Sequence, residues 1–422
     1  MNIDTDSSAK LNICLLLPPN YRPQREFPEI EVISRLSDFG HKVSWILCSE
    51  NVKTPSRSLS NNIVIHTIPY LPPQAGLSLR YGFKMIPQRI RRLRFILKLI
   101  KDGDYNLVFV KEDNGVLDGL LATYIRRKYK IPFVFYLASP LELQWGSYKI
   151  EHENTKPFYY LIAKLYVFLR IRAMRKADLV LPITGWCGEA LVKRGIPSSR
   201  MMPLPSTVDV SSFSSKSGDN IRQKYGLSDA KVVIYSGTLA KVRNLSLLLE
   251  AFSIAKKKTK NAKLLMVGPG RDRGNLEILA ERLGIRSDII FTGWVSHQEL
   301  PESIAAADIG VSPVPPLPFY EASSPIKMIE YMAAAKPAIA NEEIFDQKEV
   351  LEQSSGGILV PFTPQAFADA MVDLLNNPEK AAEMGRKGRQ WVMENRSHEV
   401  LAQKLERRLS ELILTREEIR SA

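Results

Sequence analysis

The stretch from Tyr320 to Pro337 reads YEASSPIKMIEYMAAAKP and sets Lys327 and Glu330 three residues apart, on one face of a helical turn, just behind Pro325. Proline suits the first turn of a helix, and the backbone around Ser324, Pro325 and Ile326 then offers free N–H groups at the positive end of the dipole. A phosphate would meet those amides and the Lys327 ammonium, while Glu330 would accept from a sugar diol. The same residues also describe an ordinary capped helix with one Lys–Glu pair, worth little by itself. A second segment, YSGTLAKVRN from Tyr235 to Asn244, follows a strand. Gly237 lets a ligand approach the backbone, Thr238 and Asn244 bound a short loop, and Lys241 and Arg243 at a helix N-terminus can hold a diphosphate. A surface turn with two solvated charges is the other reading. Further on, Gly268 and Gly270 end the next strand in the same way, with Arg271 and Arg273 behind them. A lone Gly-x-Gly is weak, but here it recurs at the same edge of the predicted sheet.

Such loops need a frame. Leu11–Leu17 is apolar except for Asn12 and reads as a buried parallel strand. Pro28–Gly40 has Ile30, Val32, Ile33 and Leu36 at helical spacing and precedes a strand at Val43–Cys48. The alternation continues through a strand at Ile63–Ile68, a basic helix around Pro87–Lys101, a strand at Leu107–Val110, a helix at Gly115–Tyr129 and a strand at Phe133–Leu137. Ser-rich Ser211–Asn220 has the composition of a linker. Beyond it, strands at Val232–Ser236, Lys263–Val267, Ile289–Thr292 and Ile309–Val311 alternate with helices at Leu245–Ala255, Asn275–Leu283, Leu300–Ala306 and Ile326–Ala334. The expected class is α/β: two Rossmann-like doubly wound domains, 1–210 and 211–396, facing a cleft, and then a closing amphipathic helix over 397–422.

In consistent order, Ala177–Val180 (ADLV), the Gly237 loop, Gly268–Gly270 (GPG), Phe291–Val295 (FTGWV), Ala307–Ile309 (ADI) and Pro325–Pro337 resemble the GT-B class of retaining glycosyltransferases, often called group 1 or family four. The match runs from about Ala177 to Leu375; the first half fits by fold pattern alone. The resemblance implies an acceptor-binding first domain, a nucleotide-sugar-binding second domain and a final helix crossing back to the first. It implies hexosyl or related transfer (class EC 2.4) from a nucleotide-diphosphate sugar to a hydroxyl acceptor, with retention, in cell-surface polysaccharide or glycolipid synthesis. Position by position, Arg243 falls where the family places a cation on the donor diphosphate, Glu330 where a glutamate binds the ribose hydroxyls, and Trp294 with Val295 beside the base. Thr238 stands where many members have Arg, so Lys241 is expected to supply that charge. Ala322 occupies the place of the family's first glutamate, and the nearest acid is Glu321, whose contact with the sugar is left open. On the acceptor side, the loop after the first strand is PPNYRP with Asn20 as its polar candidate, and Glu142 lies near where many members carry His or Asp. No metal or other cofactor is expected, since Lys241, Arg243, Lys327 and the helix amides would already stabilise a departing diphosphate.

The net charge of +13 is uneven: residues 1–210 hold 30 basic against 18 acidic side chains, and residues 211–422 hold 28 against 27. Leu79–Lys101 contains eight Lys or Arg and no acid, with Ile90, Leu93, Leu97 and Ile100 on one face. Phe158–Lys176 mixes Tyr159, Tyr160, Tyr166 and Phe168 with Lys164, Arg170, Arg172, Arg175 and Lys176. Such helices either lie on anionic lipid, each basic residue adding about 1 kcal/mol, or pack on the sheet and expose their charges to water. The first reading puts the protein on the inner face of the cytoplasmic membrane, with an acceptor that can be lipid-linked. No run reaches the roughly 18 apolar residues of a membrane span, polar Met1–Lys10 predicts no secretory leader, and three cysteines without ligand spacing suit a reducing cytoplasm. A basic chain is also the footprint of nucleic-acid binding, but no helix-turn-helix, zinc or RNA-binding signature accompanies it, so no such partner is expected. Two alternatives share the donor-binding frame: a GT-B-fold nucleotide-sugar epimerase, and a nucleotide-sugar-binding protein without turnover, which Ala322 keeps open.

Overall fold

The computed structural model describes residues 10–17, 28–60, 62–70, 79–111, 116–138, 157–214 and 216–421. They fall into two compact units. One takes the described residues of Met1–Glu142, Lys156–Leu204 and Leu401–Ala422, and the other takes Pro205–Val400.

The first unit is built on seven strands: β1 (Asn12–Leu16), β2 (Lys42–Ser49), β3 (Ser56–Ser60), β4 (Ile63–Pro69), β5 (Leu107–Lys111), β6 (Phe133–Leu137) and β7 (Leu179–Pro182). Their order is β3-β4-β2-β1-β5-β6-β7. All pair in parallel except β3, which adds antiparallel to β4 at one edge. Central β5 and β6 are buried along their whole length, as expected of strands covered on both faces. The sequence SRSLS of β3 is exposed throughout and has no apolar alternation, and β7 has four residues, which is why neither strand is visible in the sequence pattern.

The basic helix spans Leu79–Asp102, begins well before Pro87 and carries that proline inside it. Ile96, Ile100 and Arg92 are buried and Leu93 and Leu97 half-buried, so its apolar face is spent on the sheet. Ile90, expected on that face, is instead exposed. Arg92 makes a two-pronged pair with Asp118 of the helix Val116–Tyr129 and donates to the Leu17 carbonyl at 3.0 Å, a cation the lipid reading had counted as surface charge.

The closing helix is His398–Ser421, and from Leu401 onward it belongs to the first unit. Leu405, Leu409 and Ile413 are buried there, Glu406 lies 3.5 Å from buried His41, and Arg416 lies 3.1 Å from Asp178. The sequence offered no partner for His41; Glu406 and the Leu11 amide, which donates to His41 Nδ1 at 3.1 Å, supply two. His152 lies outside the described residues.

The second unit has six strands: β8 (Lys231–Ser236), β9 (Ala262–Val267), β10 (Ile289–Gly293), β11 (Ile309–Ser312), β12 (Ala338–Asn341) and β13 (Gly357–Val360). All are parallel, in the order β10-β9-β8-β11-β12-β13. Strand order reverses between β8 and β11, and open sheets of this kind bind ligands beyond the carboxyl ends of the strands at such a point. One face packs Leu248, Phe252 and Phe367 on the sheet, the other Met328, Ile329, Met332 and Val350. The expected linker Ser211–Asn220 proves partly structured: it holds the short helix Ser211–Ser214 and the start of the helix Asp219–Lys224.

The ADLV and ADI motifs play the same structural part in the two units. Asp178, just before β7, accepts the Phe133 amide of β6 at 3.0 Å, and Asp308, just before β11, accepts the Val232 amide of β8 at 2.6 Å. Arginines complete both, Arg126 on Asp178 and Arg222 on Asp308. These acids tie neighbouring strands together rather than serving a ligand.

Candidate active site

The carboxyl edge of the second sheet is a set of interlocked turns. Gly237 N–H donates to Val267 O at 2.8 Å, Leu239 N–H to Pro269 O at 2.8 Å, and Gly268 N–H to Gly293 O at 2.9 Å, continuing the ladder past the strands. Gly268 has φ +137°, and a Cβ there would sit 2.1 Å from the Gly237 carbonyl oxygen. At Gly270 a Cβ would sit 1.8 Å from the Leu239 carbonyl. Both glycines, read from sequence as donor-binding, are thus required by turn-on-turn packing, with or without a ligand. Gly270→Ala forces the Leu239 turn to move and is expected to cost about 1–3 kcal/mol, read as a fall in the thermal midpoint. An unchanged midpoint would contradict this packing.

Gly237, at φ +147°, is different. A Cβ there would lie 3.3 Å from the Lys327 Nζ and 3.1 Å from the Tyr235 Oη, so the bare backbone of this turn borders a charged side chain. Lys327 sits in the first turn of the helix Ile326–Ala333, with Pro325 as the N-cap residue rather than the first helical one. Its ammonium is buried, stands 4.4 Å above the Tyr235 ring and donates to Tyr235 Oη at 3.4 Å. Burial and the nearby Arg243 guanidinium push its pKa down to about 7, opposed by Glu330. Glu330 is buried one turn on, and burial raises its pKa to about 7 against the pull of Lys327. The Tyr235 phenol is pushed up to about 12 by burial and stays neutral.

Arg243 ends the short 3-10 turn Lys241–Arg243, and its guanidinium lies 4.7 Å over the Tyr320 ring. Asn244 closes that turn in the left-handed region at φ 48°, which asparagine tolerates, and its side chain accepts from Ser246 Oγ at 2.8 Å. The helix Ser246–Lys258 follows, with Leu245 as its N-cap residue. Helix Ile326–Ala333 is fixed from behind by Tyr331, whose ring packs where any side chain at Gly310 would stand. Its hydroxyl accepts the Ser236 amide at 2.8 Å.

The structure therefore gathers Gly237, Arg243, Lys327 and Glu330 around the switch point, with Tyr235 and Tyr320 as aromatic supports. Other expected residues stand differently. Ser324 is buried, and its hydroxyl donates to Asp346 at 2.7 Å and accepts the Ser206 amide at 3.0 Å. Asp346 is paired in turn with Arg396. The Ser324 side chain is thus a brace for the loop before the helix. Thr238 and Lys241 are exposed, Trp294 is 71% exposed, and Val295 packs partly into the core. Glu321 ends a one-turn helix, Pro318–Glu321, and is half-buried, whereas Ala322 is fully buried. Asn20 and Glu142 lie outside the described residues.

Among the described residues, no group of three or more His, Cys, Asp or Glu could hold a metal ion. The sequence does contain an Asp-x-Asp pair, Asp102 and Asp104; it lines a cavity with Asn12 and Lys42, the first residues of β1 and β2, and so lies at the opposite edge of the first sheet from its strand carboxyl ends.

The same two-part division appears in comparison with known proteins. Residues 217–391 match the family "Glycosyl transferases group 1", and residues 30–212 match "Glycosyltransferase Family 4". The chain belongs to the group 1, family 4 glycosyltransferases. Among relatives in this family, it is 27% identical over 214 residues to an alpha-D-kanosaminyltransferase of Streptomyces kanamyceticus, covering 49% of this chain and 53% of that one. It is 27% identical over 250 residues to a GDP-mannose-dependent alpha-(1-6)-phosphatidylinositol monomannoside mannosyltransferase of Mycolicibacterium smegmatis, covering 58% of this chain and 64% of that one. The chain thus spans between half and two thirds of these curated relatives. In fold, sucrose-phosphate synthase from Thermosynechococcus elongatus superposes with a TM-score of 0.75 at 19% identity, over 96% of this chain and all of that one. Together with the two parallel sheets, this makes the fold GT-B.

Proposed function

We propose that this family member transfers a sugar from a nucleoside-diphosphate donor to a hydroxyl acceptor. The observation that carries the reading is the buried Lys327 ammonium beside the bare Gly237 turn, in the first turn of a helix that opens at the sheet's switch point. Backbone amides and a desolvated cation at one spot favour charge that develops on a leaving diphosphate. In this reading Lys327 and Arg243 neutralise the diphosphate while the sugar carbon gains oxocarbenium character, Glu330 accepts from the ribose diol, and the new bond forms with retention. Glu321 is the nearest acid for the sugar, and no metal takes part. The name of the Mycolicibacterium relative supports a nucleotide-sugar donor and a lipid-borne acceptor. Accordingly, the acceptor here is lipid-linked, the setting is cell-surface polysaccharide or glycolipid synthesis, and the protein works against the inner face of the cytoplasmic membrane. A second reading, donor binding without turnover, draws on the buried methyl of Ala322 where the family has an acid.

A panel of UDP- and GDP-sugars tested by thermal shift decides the donor. The matching donor raises the midpoint in proportion to the logarithm of its concentration. Arg243→Ala is expected to weaken that donor roughly tenfold or more, the loss of a charged hydrogen-bond partner. A full shift in the variant would remove Arg243 from the site, and a panel with no shift at all would remove the donor reading.

A further inference from the structure

We propose that the first unit docks on an anionic bilayer through the outer face of the helix Pro157–Met174, with a lipid phosphate seated in a cationic cavity at the end of that face. The inference rests on the membrane part of the reading above, not on sugar transfer. Leu161, Leu165 and Phe168 are 66%, 56% and 60% exposed. Their spacing puts them in one stripe along the helix. The helix Val116–Tyr129 packs against this one, closely enough that a Cβ on Gly119 would lie 3.0 Å from Ala173 Cβ, and it exposes Leu117, Leu120 and Tyr124 as well. Side chains of this size left in water on adjoining helices mark an interaction surface.

The cavity says what covers it. Phe168, at the end of the stripe, also lines a hollow of about 500 Å³ whose other walls are Ile171, Arg172, Arg175, Lys176 and Arg194. Among the described residues, four cations line it and no acid does. Arg175 is held in place, its Nε and Nη2 donating to the Arg194 carbonyl at 3.1 and 2.6 Å, and Arg200 donates to the Arg175 and Ala177 carbonyls. An apolar stripe running into a multi-cation pocket matches acyl chains beside a phosphate headgroup, and the excess positive charge of residues 1–210 agrees in sign. The helix Leu79–Asp102 fits less well, because Arg92, Ile96 and Ile100 are turned to the protein core.

The test uses the full chain and sucrose-loaded vesicles of phosphatidylcholine alone or mixed with phosphatidylglycerol, without any nucleotide sugar. The protein is expected to sediment with the mixed vesicles and not with the neutral ones. Arg172→Glu with Lys176→Glu is expected to weaken this partition by roughly tenfold or more, while Arg89→Glu with Arg91→Glu, on the other helix, changes it much less. As a local probe, the Phe168→Trp variant should shift its emission to the blue and be quenched by brominated lipid. Equal binding to neutral vesicles, an equal loss in the control pair, or an unmoved emission would overturn the proposal. So would binding of inorganic phosphate without vesicle binding, or a dimer in solution that Leu165→Ser dissolves. Because no donor is present, failure here leaves the nucleotide-sugar titrations standing, and their failure leaves this result standing.

Discussion

Lys327→Met lowers sugar transfer by about 10²–10³-fold and leaves the protein folded, the scale set by removing one preorganised donor from a developing negative charge. Methionine fills the same buried space beside Tyr235 without the ammonium. The variant does not strand a buried carboxylate, because Glu330 loses the cation that held its pKa down and stays protonated. Stability and pH separate this effect from misfolding. The Lys327 pKa falls in the folded state from 10.5 to about 7, so the fold disfavours the ammonium. That penalty is fully present below about pH 7 and fades as pH rises toward 10.5. The thermal midpoint of Lys327→Met relative to the parent should therefore be most favourable near pH 6 and least near pH 9. Function runs the other way. The free protein loses its ammonium as pH rises through 7, so donor binding weakens on the alkaline side in the parent, and this slope disappears in Lys327→Met. Calorimetric donor titrations from pH 6 to 9 check the sign; a slope that survives in the variant would assign the titration to another group.

How much of this was legible beforehand depended on distance along the chain. The Lys327–Glu330 pair and the Gly237 loop are local patterns, and the alternation of strands and helices up to Ala334 is local too. Beyond Ala334 the sheet continues as AIAN, fully buried, and GILV, mostly half-buried, four residues each and too short to show a period, so β12 and β13 are not visible in the sequence pattern; the helices Phe345–Ser354, Pro364–Asn376 and Pro378–Asn395 are not assigned from the sequence either. The supports of the site were hidden for a related reason. Tyr235 meets Lys327 across 92 residues, Tyr331 meets Ser236 across 95, and Ser324 depends on Ser206, Asp346 and Arg396. A tyrosine near the end of an otherwise aliphatic strand was the available hint for Tyr235. The glycines at 268 and 270 are visible in the sequence, but the turn-on-turn packing that requires them is not, since a glycine that admits a ligand and one that admits a neighbouring turn look identical in sequence.

Glu330→Gln raises the KM for the donor by roughly 10- to 100-fold with a much smaller change in kcat, about the worth of a hydrogen bond to a charged group. The asymmetry follows from where each residue acts. A ribose diol lies far from the breaking bond and is held equally in ground and transition states, so losing its acceptor removes uniform binding. Lys327 meets a diphosphate whose charge grows further as the bond breaks, so its loss falls on kcat as well as on donor binding. Glutamine keeps the volume and one acceptor oxygen but not the charge, and Lys327 then loses the carboxylate that was raising its pKa. The alkaline weakening of donor binding should accordingly begin at lower pH in Glu330→Gln than in the parent. Glu330→Ala, which also empties the space, should show the same split with a larger KM effect. If kcat fell as far as in Lys327→Met while KM held, Glu330 would belong at the reacting carbon and not at the ribose, and the half-buried Glu321 would lose its claim as the acid nearest the sugar.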